Sequence, residues 1–347
     1  CEELGKLTPQ TVRVLHEAGG MRMNLPKELG GYEASPVDFL AYVRTVARYS
    51  PSAGWIAGVV GIHPWEMALM DPKAIGEIYG NGPETWVASP YAPTGTGRPV
   101  EGGYLFTGEW QYSTGTDYCD WVVLGGMETD AAGAVLEPPV IRHFLLPKGD
   151  YEIVEDSWNV VGLKGTGSKT VRMTDVFVPE YRTLDGATLY SGQYAGRRPD
   201  SPLYRVPFGP LFGAVITAGT LGIATGALEV YKDYMRTRVS RGGIVAKTDP
   251  VQQTLLAEAE ADLDAAILVL EEGMEFFWQQ AIANEPSTAE ERLRYRRNHV
   301  RAVQNVLASV EKVYMGAGSA SVWTDWPLER YWRDLRVGGI PLLEVRE

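Results

Sequence analysis

The sequence predicts an α+β protein in which two helical regions flank a β domain. Apolar residues recur at three- and four-residue steps from residue 8 to about residue 81, which indicates several amphipathic helices. From about residue 82 to 182, short strand-like runs are separated by Gly, Pro, Thr and Asp, a pattern typical of antiparallel β structure. Long helical periods return after Pro207 and predict a helical bundle. We therefore expect three domains, at residues 1–82, 83–185 and 186–347.

The positions of Pro and Gly and the spacing of apolar residues predict the helices and strands within each region. In the first region, Pro and Gly pairs separate the helices, and the candidate caps are Ser35 or Asp38 for one helix and Ser50 or Ser52 for the next. The predicted strands are short, at 85–87, 104–106, 121–124, 140–146, 151–154 and 170–178. The predicted bundle helices are long, at 211–238, 250–284 and 288–316.

Composition and charge limit the possible functions. The 347 residues are 45% hydrophobic, which is enough for a sizeable core, and 32 basic against 44 acidic residues give a net charge of −12. Such a surface repels nucleic acids and anionic membranes, so neither is an expected partner. Two cysteines and four histidines show no metal-ligand spacing.

The same survey predicts where the protein works. No apolar run approaches the roughly 20 residues of a membrane span, and no signal peptide pattern is present. We therefore expect a soluble, cytoplasmic protein. The first residue is Cys1 rather than Met, so we expect that parts of the natural chain lie outside this sequence.

Two segments of the predicted β domain carry hydroxyl groups and aromatic rings suited to a planar ligand. The first runs from Trp86 to Gly97 and contains Ser89-Pro-Tyr-Ala-Pro. Such a loop can present N–H groups and hydroxyls to a polar ligand edge, and an ordinary β loop is the alternative. The second runs from Tyr104 to Gly115, where a strand with two aromatic residues on one face ends in Ser-Thr-Gly.

Three further motifs follow along the chain. The Gly-rich segment 158–171 could cradle a phosphate, but it lacks the spacing of a dinucleotide-binding or Walker loop. Arg238 stands in a Tyr-x-x-x-Arg-x-x-x-Gly pattern, which by itself indicates the solvated basic end of a helix, although a guanidinium is also a suitable bidentate donor to an anion. Near the C-terminus, Met-Gly-Ala-Gly at 315–318 precedes Pro-Leu-Glu-Arg-Tyr-Trp-Arg-Asp at 327–334.

Together these motifs resemble the acyl-CoA dehydrogenase-like superfamily over nearly the whole chain. In that superfamily the two β segments wrap the isoalloxazine ring of a flavin. The stretch from Ser50 to Trp65, with its Gly-Trp and Gly-Ile-His-Pro-Trp, narrows the resemblance to the oxygenase components of two-component flavin monooxygenases. Within that group it is similar to the 3-hydroxy-9,10-secoandrostatrienedione and 4-hydroxyphenylacetate hydroxylases.

The resemblance implies a monooxygenase that uses FMNH2 or FADH2 and O2. A flavin C4a-hydroperoxide would deliver oxygen to a phenolic ring, with a steroid-derived ring as one option. By the same resemblance Thr114, with Ser113 beside it, places a hydroxyl at flavin N5, Trp55 forms a wall, and Tyr112 and Arg238 complete the flavin-binding set. Arg238 would serve the flavin of an adjacent subunit.

The resemblance also assigns two residues to catalysis beside Thr114. Ser89 supplies a second hydroxyl near the flavin, and His63 faces the substrate, where its imidazole can exchange a hydrogen bond with a phenol oxygen. From the residue alone, a core histidine with satisfied hydrogen bonds is the favoured interpretation of His63. No dinucleotide-binding fingerprint is present, so we expect a separate NAD(P)H-dependent flavin reductase as partner. The long, Ala-rich bundle helices predict a homotetramer.

Three alternatives remain open at this level. An acyl-CoA dehydrogenase would carry a Tyr-Glu-Gly shortly after the Arg-Asp segment, and this chain has Arg-Val-Gly-Gly-Ile-Pro there. The related hydroxylases carry a further histidine beyond the Arg-Asp segment, and none follows His299 here. Either that histidine lies outside this sequence or the substrate needs no phenolate, as in relatives that oxidise nitrogen or sulfur. A non-catalytic assembly subunit would not need the hydroxyls of both Ser89 and Thr114.

Overall fold

The N-terminal part of the chain is helical. The computed structural model of the protein describes residues 1–239 and 242–343, so residues 240–241 and 344–347 of the predicted third domain lie outside the described residues. Its first helices are α1 (Pro9–Glu17), α2 (Pro36–Tyr49), α3 (Pro51–Val59), α4 (His63–Met67) and α5 (Pro72–Tyr79). Ser35 caps α2 by accepting the N–H of Asp38, whereas Ser50 precedes α3 without a side-chain capping bond.

The middle of the chain forms a single eight-stranded sheet. Its strands are β1 (Val87–Ala88), β2 (Gly95–Val100), β3 (Gly103–Ser113), β4 (Trp121–Glu128), β5 (Ile141–Pro147), β6 (Glu152–Val154), β7 (Lys169–Pro179) and β8 (Thr183–Asp185). The order is β6-β7-β3-β2-β4-β5-β8, and β1 pairs with β4 outside this path. We predicted an antiparallel domain, but β1 and β2 both run parallel to β4, so the sheet is mixed. These two pairings join segments distant in sequence, and strand patterns do not reveal them.

The C-terminal part is a helical bundle around one buried helix. Its helices are α6 (Gly186–Tyr190), α7 (Phe208–Thr237), α8 (Pro250–Ala283), α9 (Ala289–Gly316) and α10 (Pro327–Leu343). Helix α7 packs against α2, α3, α8, α9 and α10. At Gly222 and Gly226 the α2 backbone comes so close that an added Cβ would lie 2.4 Å from the Arg44 carbonyl oxygen and 2.3 Å from that of Arg48. The predicted α+β fold class is confirmed.

Helix α7 corrects one sequence-based expectation. We found no apolar run near the length of a membrane span, yet α7 is long and apolar enough to cross a membrane, with a mean hydropathy of 1.7 in its most apolar stretch. Of that stretch, 83% is buried inside the protein. Its apolar composition is therefore accounted for by its position in the core of the bundle.

Candidate active site

The structure brings His63 and Ser89 together. His63 opens α4 and Ser89 follows β1, and both side chains are buried. The Nδ1 atom of His63 lies against the Val87 carbonyl oxygen, which can only accept, so Nδ1 carries the proton. In the neutral ring Nε2 is then an acceptor, and the Ser89 hydroxyl donates its proton to Nε2. Burial lowers the pKa of His63 to about 4, so the ring is neutral near pH 7.

A second buried polar group lies beside this pair. Glu66, one helical turn after His63, accepts a hydrogen bond from His143 Nδ1 at 2.6 Å and another from the Tyr91 hydroxyl at 2.5 Å. Burial alone would raise the pKa of the Glu66 carboxyl, but attraction to His143 and these hydrogen bonds hold the pKa below its usual value. Glu66 is therefore ionised, and its charge favours protonation of His63.

Aromatic rings enclose these polar groups. Tyr91 stacks on His143 with ring centroids 4.8 Å apart, and it meets Phe208 and Phe212 of α7 edge to face at 5.4 and 5.3 Å. Tyr190 lies edge-on to His143 at 6.2 Å. The His143 Nε2 atom is buried and has no hydrogen-bond partner among the residues that the structure describes. The surroundings of Ser89 and His63 are thus apolar and aromatic, which suits an aromatic substrate.

Sequence reasoning did not identify Glu66 and His143 as site residues. The sequence does single out Glu66, because it is the one Asp, Glu, Lys or Arg residue in the apolar stretch from Trp55 to Met70. His143 lies 77 residues after Glu66, in a strand, and nothing local predicts that the two side chains meet.

A chain of hydroxyl groups lies at the end of β3. The Thr114 and Ser168 hydroxyl oxygens are 2.9 Å apart, and those of Ser168 and Thr166 are 2.8 Å apart. Thr166 also donates to the Leu163 carbonyl oxygen at 2.8 Å. All three hydroxyl side chains are buried. The motif at Thr114 and the Gly-rich segment thus contribute hydroxyls to one hydrogen-bonded network.

The residues beside Thr114 point in different directions. Tyr112 is 65% exposed, and its ring meets Trp158 edge to face with centroids 6.0 Å apart. Ser113 is completely buried, and its hydroxyl has no hydrogen-bond partner within the described part of the chain. Thr114 is therefore the residue of this motif whose hydroxyl belongs to a polar network.

Trp55 and Arg238 occupy different parts of the molecule. The Trp55 ring lies against two glycines, where an added Cβ would be 3.4 Å away at Gly219 of α7 and 3.2 Å away at Gly338 of α10. Arg238 follows α7 and donates to the Gly316 carbonyl oxygen at 3.0 Å. It lies at the opposite end of α7 from Phe208, about 45 Å along the helix axis, so this chain does not bring Arg238 to the His63–Ser89 pair.

These donor and acceptor groups fit a flavin. An isoalloxazine ring needs flat apolar walls and polar groups along one edge, and the N5 position needs a partner of defined hydrogen-bond polarity. The Thr114 hydroxyl can supply that partner, since its neighbour Ser168 fixes its orientation. The resemblance assigns the apolar walls to Trp55, which is buried, and to Tyr112, which is exposed.

Comparison with known proteins decides the family. The family model described as acyl-CoA dehydrogenase, C-terminal domain, matches residues 214–340. The chain is 40% identical to the pigment production hydroxylase of Rhodococcus erythropolis, covering 97% of this chain and 86% of that protein. It is 36% identical to the flavin-dependent monooxygenase, oxygenase subunit HsaA, of Rhodococcus jostii, covering 98% and 88%. The chain belongs to the oxygenase components of the flavin-dependent monooxygenases.

A solved structure agrees with this assignment. The crystal structure of 3-HSA hydroxylase from Rhodococcus sp. RHA1 matches with a TM-score of 0.93 at 35% identity, covering 99% of this chain and 88% of that one. The predicted acyl-CoA dehydrogenase-like fold is confirmed. The prediction of a flavin-dependent monooxygenase that uses reduced flavin and O2, with a separate reductase as partner, is confirmed for this oxygenase component as well.

Proposed function

We propose that this oxygenase component hydroxylates a phenol, with a steroid-derived phenol as a candidate substrate, and that Ser89 and His63 take up the phenolic proton. The observation that carries the proposal is the proton direction in the pair. Because the Ser89 proton is committed to His63 Nε2, the Ser89 oxygen has lone pairs free to accept a phenol O–H. The aromatic surroundings of Tyr91 and Phe208 favour a ring-shaped substrate.

The proton transfer has a simple balance. The phenol O–H bond breaks as Ser89 Oγ gains that proton, and the original Ser89 proton passes to His63 Nε2. The imidazolium so formed keeps its Nδ1–H bond to Val87 and is favoured by the charge of Glu66. When bound, reduced flavin supplies the two electrons that let one atom of O2 enter the ring while the other leaves as water.

Magnitudes decide when the proton moves. A phenol pKa of about 10 and a His63 pKa of about 4 differ by about six units, or about 8 kcal/mol, so transfer before ring attack is unfavourable. A phenol becomes far more acidic as its ring loses electron density to an electrophile. We therefore infer that Ser89 and His63 accept the proton during oxygen transfer, without a stable phenolate beforehand.

The test removes each member of the pair. We expect Ser89→Ala and His63→Ala to lower hydroxylation about 100-fold or more, with hydrogen peroxide released in place of product and reduced flavin still bound. His299→Gln is the matched control, because His299 is also buried with its pKa lowered to about 4 by burial, and it hydrogen-bonds Thr217 within the bundle. Measurements are product formed per flavin oxidised and melting temperature. Variants that lose stability like His299→Gln but remain fully coupled would remove Ser89 and His63 from the site.

The choice of substrate probe separates a phenol hydroxylase from an N- or S-oxidising enzyme. 4-Hydroxyphenylacetate and its 4-methoxy analogue differ in the proton that the pair would accept. We expect product from the phenol and none from the methyl ether. Equal turnover of both compounds would contradict the role of the pair.

We also propose that the flavin-binding set is completed by a second subunit of a homotetramer. Thr114 would lie at N5 with Ser113 beside it, Trp55 and Tyr112 would form walls, and Arg238 would reach the flavin of its neighbour. Large apolar side chains are exposed on the bundle helices, which supports burial between subunits: Leu268, Leu293, Met315 and Ile340. A monomer in light scattering at micromolar concentration would contradict the tetramer. A reductase that uses NAD(P)H favours the cytoplasm as location.

A further inference from the structure

The three hydroxyls of Thr114, Ser168 and Thr166 have only one arrangement of protons that satisfies every contact. The Thr166 hydroxyl must donate its proton to the Leu163 carbonyl oxygen, because a carbonyl can only accept. Ser168 must then donate to Thr166 at 2.8 Å, and Thr114 must donate to Ser168 at 2.9 Å. The Thr114 oxygen is left with free lone pairs and no free proton.

The row of hydroxyls ends at the Leu163 carbonyl oxygen, and the loop that carries Leu163 and Thr166 is held in place. Leu163 has a left-handed backbone with φ 51°, and its N–H donates to Asp334 of α10 at 2.5 Å. The Thr166 carbonyl oxygen accepts the Gly115 N–H at 3.0 Å, which joins the loop to the turn after Thr114. Thr166 and Ser168 are 1% and 3% exposed, so water does not compete for their hydrogen bonds.

The two oxidation states of a flavin present opposite groups at N5. The reduced ring carries an N5–H, which is a donor, whereas N5 of the oxidised ring is an acceptor with a lone pair. An oxygen with only lone pairs to offer binds the first and repels the second. To serve the oxidised ring, Thr114 would have to turn its proton away from Ser168 and break one buried hydrogen bond.

We propose that Ser168 and Thr166 are positioning residues that orient the Thr114 proton and thereby make the site prefer reduced over oxidised flavin. This inference rests on the proposed contact between Thr114 and flavin N5. One hydrogen bond corresponds to at least about fivefold in the ratio of dissociation constants. The preference has a use in the reaction sequence, since the protein must capture reduced flavin from a reductase and release oxidised flavin after each turnover.

The experiment measures binding and not turnover. Dissociation constants for oxidised flavin in air and for reduced flavin without oxygen are measured by equilibrium dialysis, with whichever of FMN and FAD the unaltered protein binds more tightly. Thr166→Val frees the Ser168 proton, and Ser168→Ala frees the Thr114 proton. For both variants we expect the ratio of the oxidised to the reduced constant to fall about fivefold or more, mainly through tighter binding of oxidised flavin.

Two controls accompany these variants. Thr166→Ser keeps the hydroxyl and should keep the original ratio of dissociation constants. Thr116→Val should keep it too, because Thr116 has a buried hydroxyl two residues after Thr114 that does not belong to the row of three hydrogen-bonded hydroxyls. An unchanged ratio in Thr166→Val and Ser168→Ala, together with a changed ratio in Thr114→Val, would overturn the proton direction but leave Thr114 at N5. An unchanged ratio in all three would remove Thr114 from N5 and overturn that part of the proposed function too.

Discussion

Two buried polar networks, Ser89–His63 and Thr114–Ser168–Thr166, are built alike but differ in the groups they contain. Each is anchored on a backbone carbonyl oxygen, Val87 for one and Leu163 for the other, and each anchor fixes the direction of every proton along its chain. The first chain contains an imidazole, His63, beside an ionised carboxylate, Glu66, so it can take up a proton. The second contains hydroxyls alone and can only hold the protons it has. We therefore assign proton transfer to the network of His63 and proton orientation to the network of Thr114.

The largest effect that would sharpen this comparison is expected from Glu66→Gln. The amide cannot accept from both His143 and Tyr91, so one buried donor loses its partner, and the charge that favours protonated His63 disappears. We expect the free energy of unfolding to fall by about 2 to 3 kcal/mol, measured by urea denaturation, and hydroxylation to fall with it. Thr166→Val, in the chain without charge, should cost only about 1 kcal/mol.

The matched control for this prediction is Glu152→Gln. Glu152 forms an exposed ion pair with Arg172, so its loss should leave the unfolding midpoint nearly unchanged. Equal losses for Glu66→Gln and Thr166→Val would contradict the distinction between a charged and an uncharged chain.

The pH dependence of stability tests the same distinction with a smaller effect. The pKa of His63 is lowered from 6.5 to about 4 by burial, so between these values the unfolded chain binds a proton that the folded chain does not. The free energy of unfolding therefore falls as the pH is lowered through this window, by about 1.5 kcal/mol for His63 between pH 6.5 and 5. His299, with the same shift, should contribute a similar amount.

Urea denaturation at pH 6.5 and pH 5 measures this dependence. Glu66 does not contribute there, because the stability from its lowered pKa is lost only below the ordinary value of 4.5. Replacement of His63 or of His299 by Gln should each reduce the loss of stability by about 1.5 kcal/mol, whereas Thr166→Val should leave the change intact. Asp334, whose pKa burial raises to about 6, contributes in the opposite direction in all of these variants. An unaltered slope in His63→Gln would mean that His63 is not a neutral, buried imidazole.

Local sequence patterns predicted the parts of this site but not how they join. The order of helices, strands and bundle follows from periodicity, whereas His63, Ser89 and Thr114 became candidates through the resemblance of their motifs to those of the flavin monooxygenases. The contacts of Glu66 with His143 and of Thr114 with Ser168 join segments 77 and 54 residues apart, and they depend on the assembled fold. The parallel pairings of β1 and β2 with β4 were not predicted, because they too join segments that are distant in sequence.

The smallest effect concerns Ser113, which adjoins Thr114 but belongs to neither chain. Its hydroxyl is sealed in the interior, without a hydrogen-bond partner among the described residues, and a buried hydroxyl in that state destabilises the folded protein. Ser113→Ala should therefore raise the free energy of unfolding by up to about 1 kcal/mol and leave the binding of reduced flavin unchanged. Urea denaturation and flavin titration measure the two effects. Weaker flavin binding without added stability would show that the Ser113 hydroxyl, and not Thr114 alone, serves the cofactor.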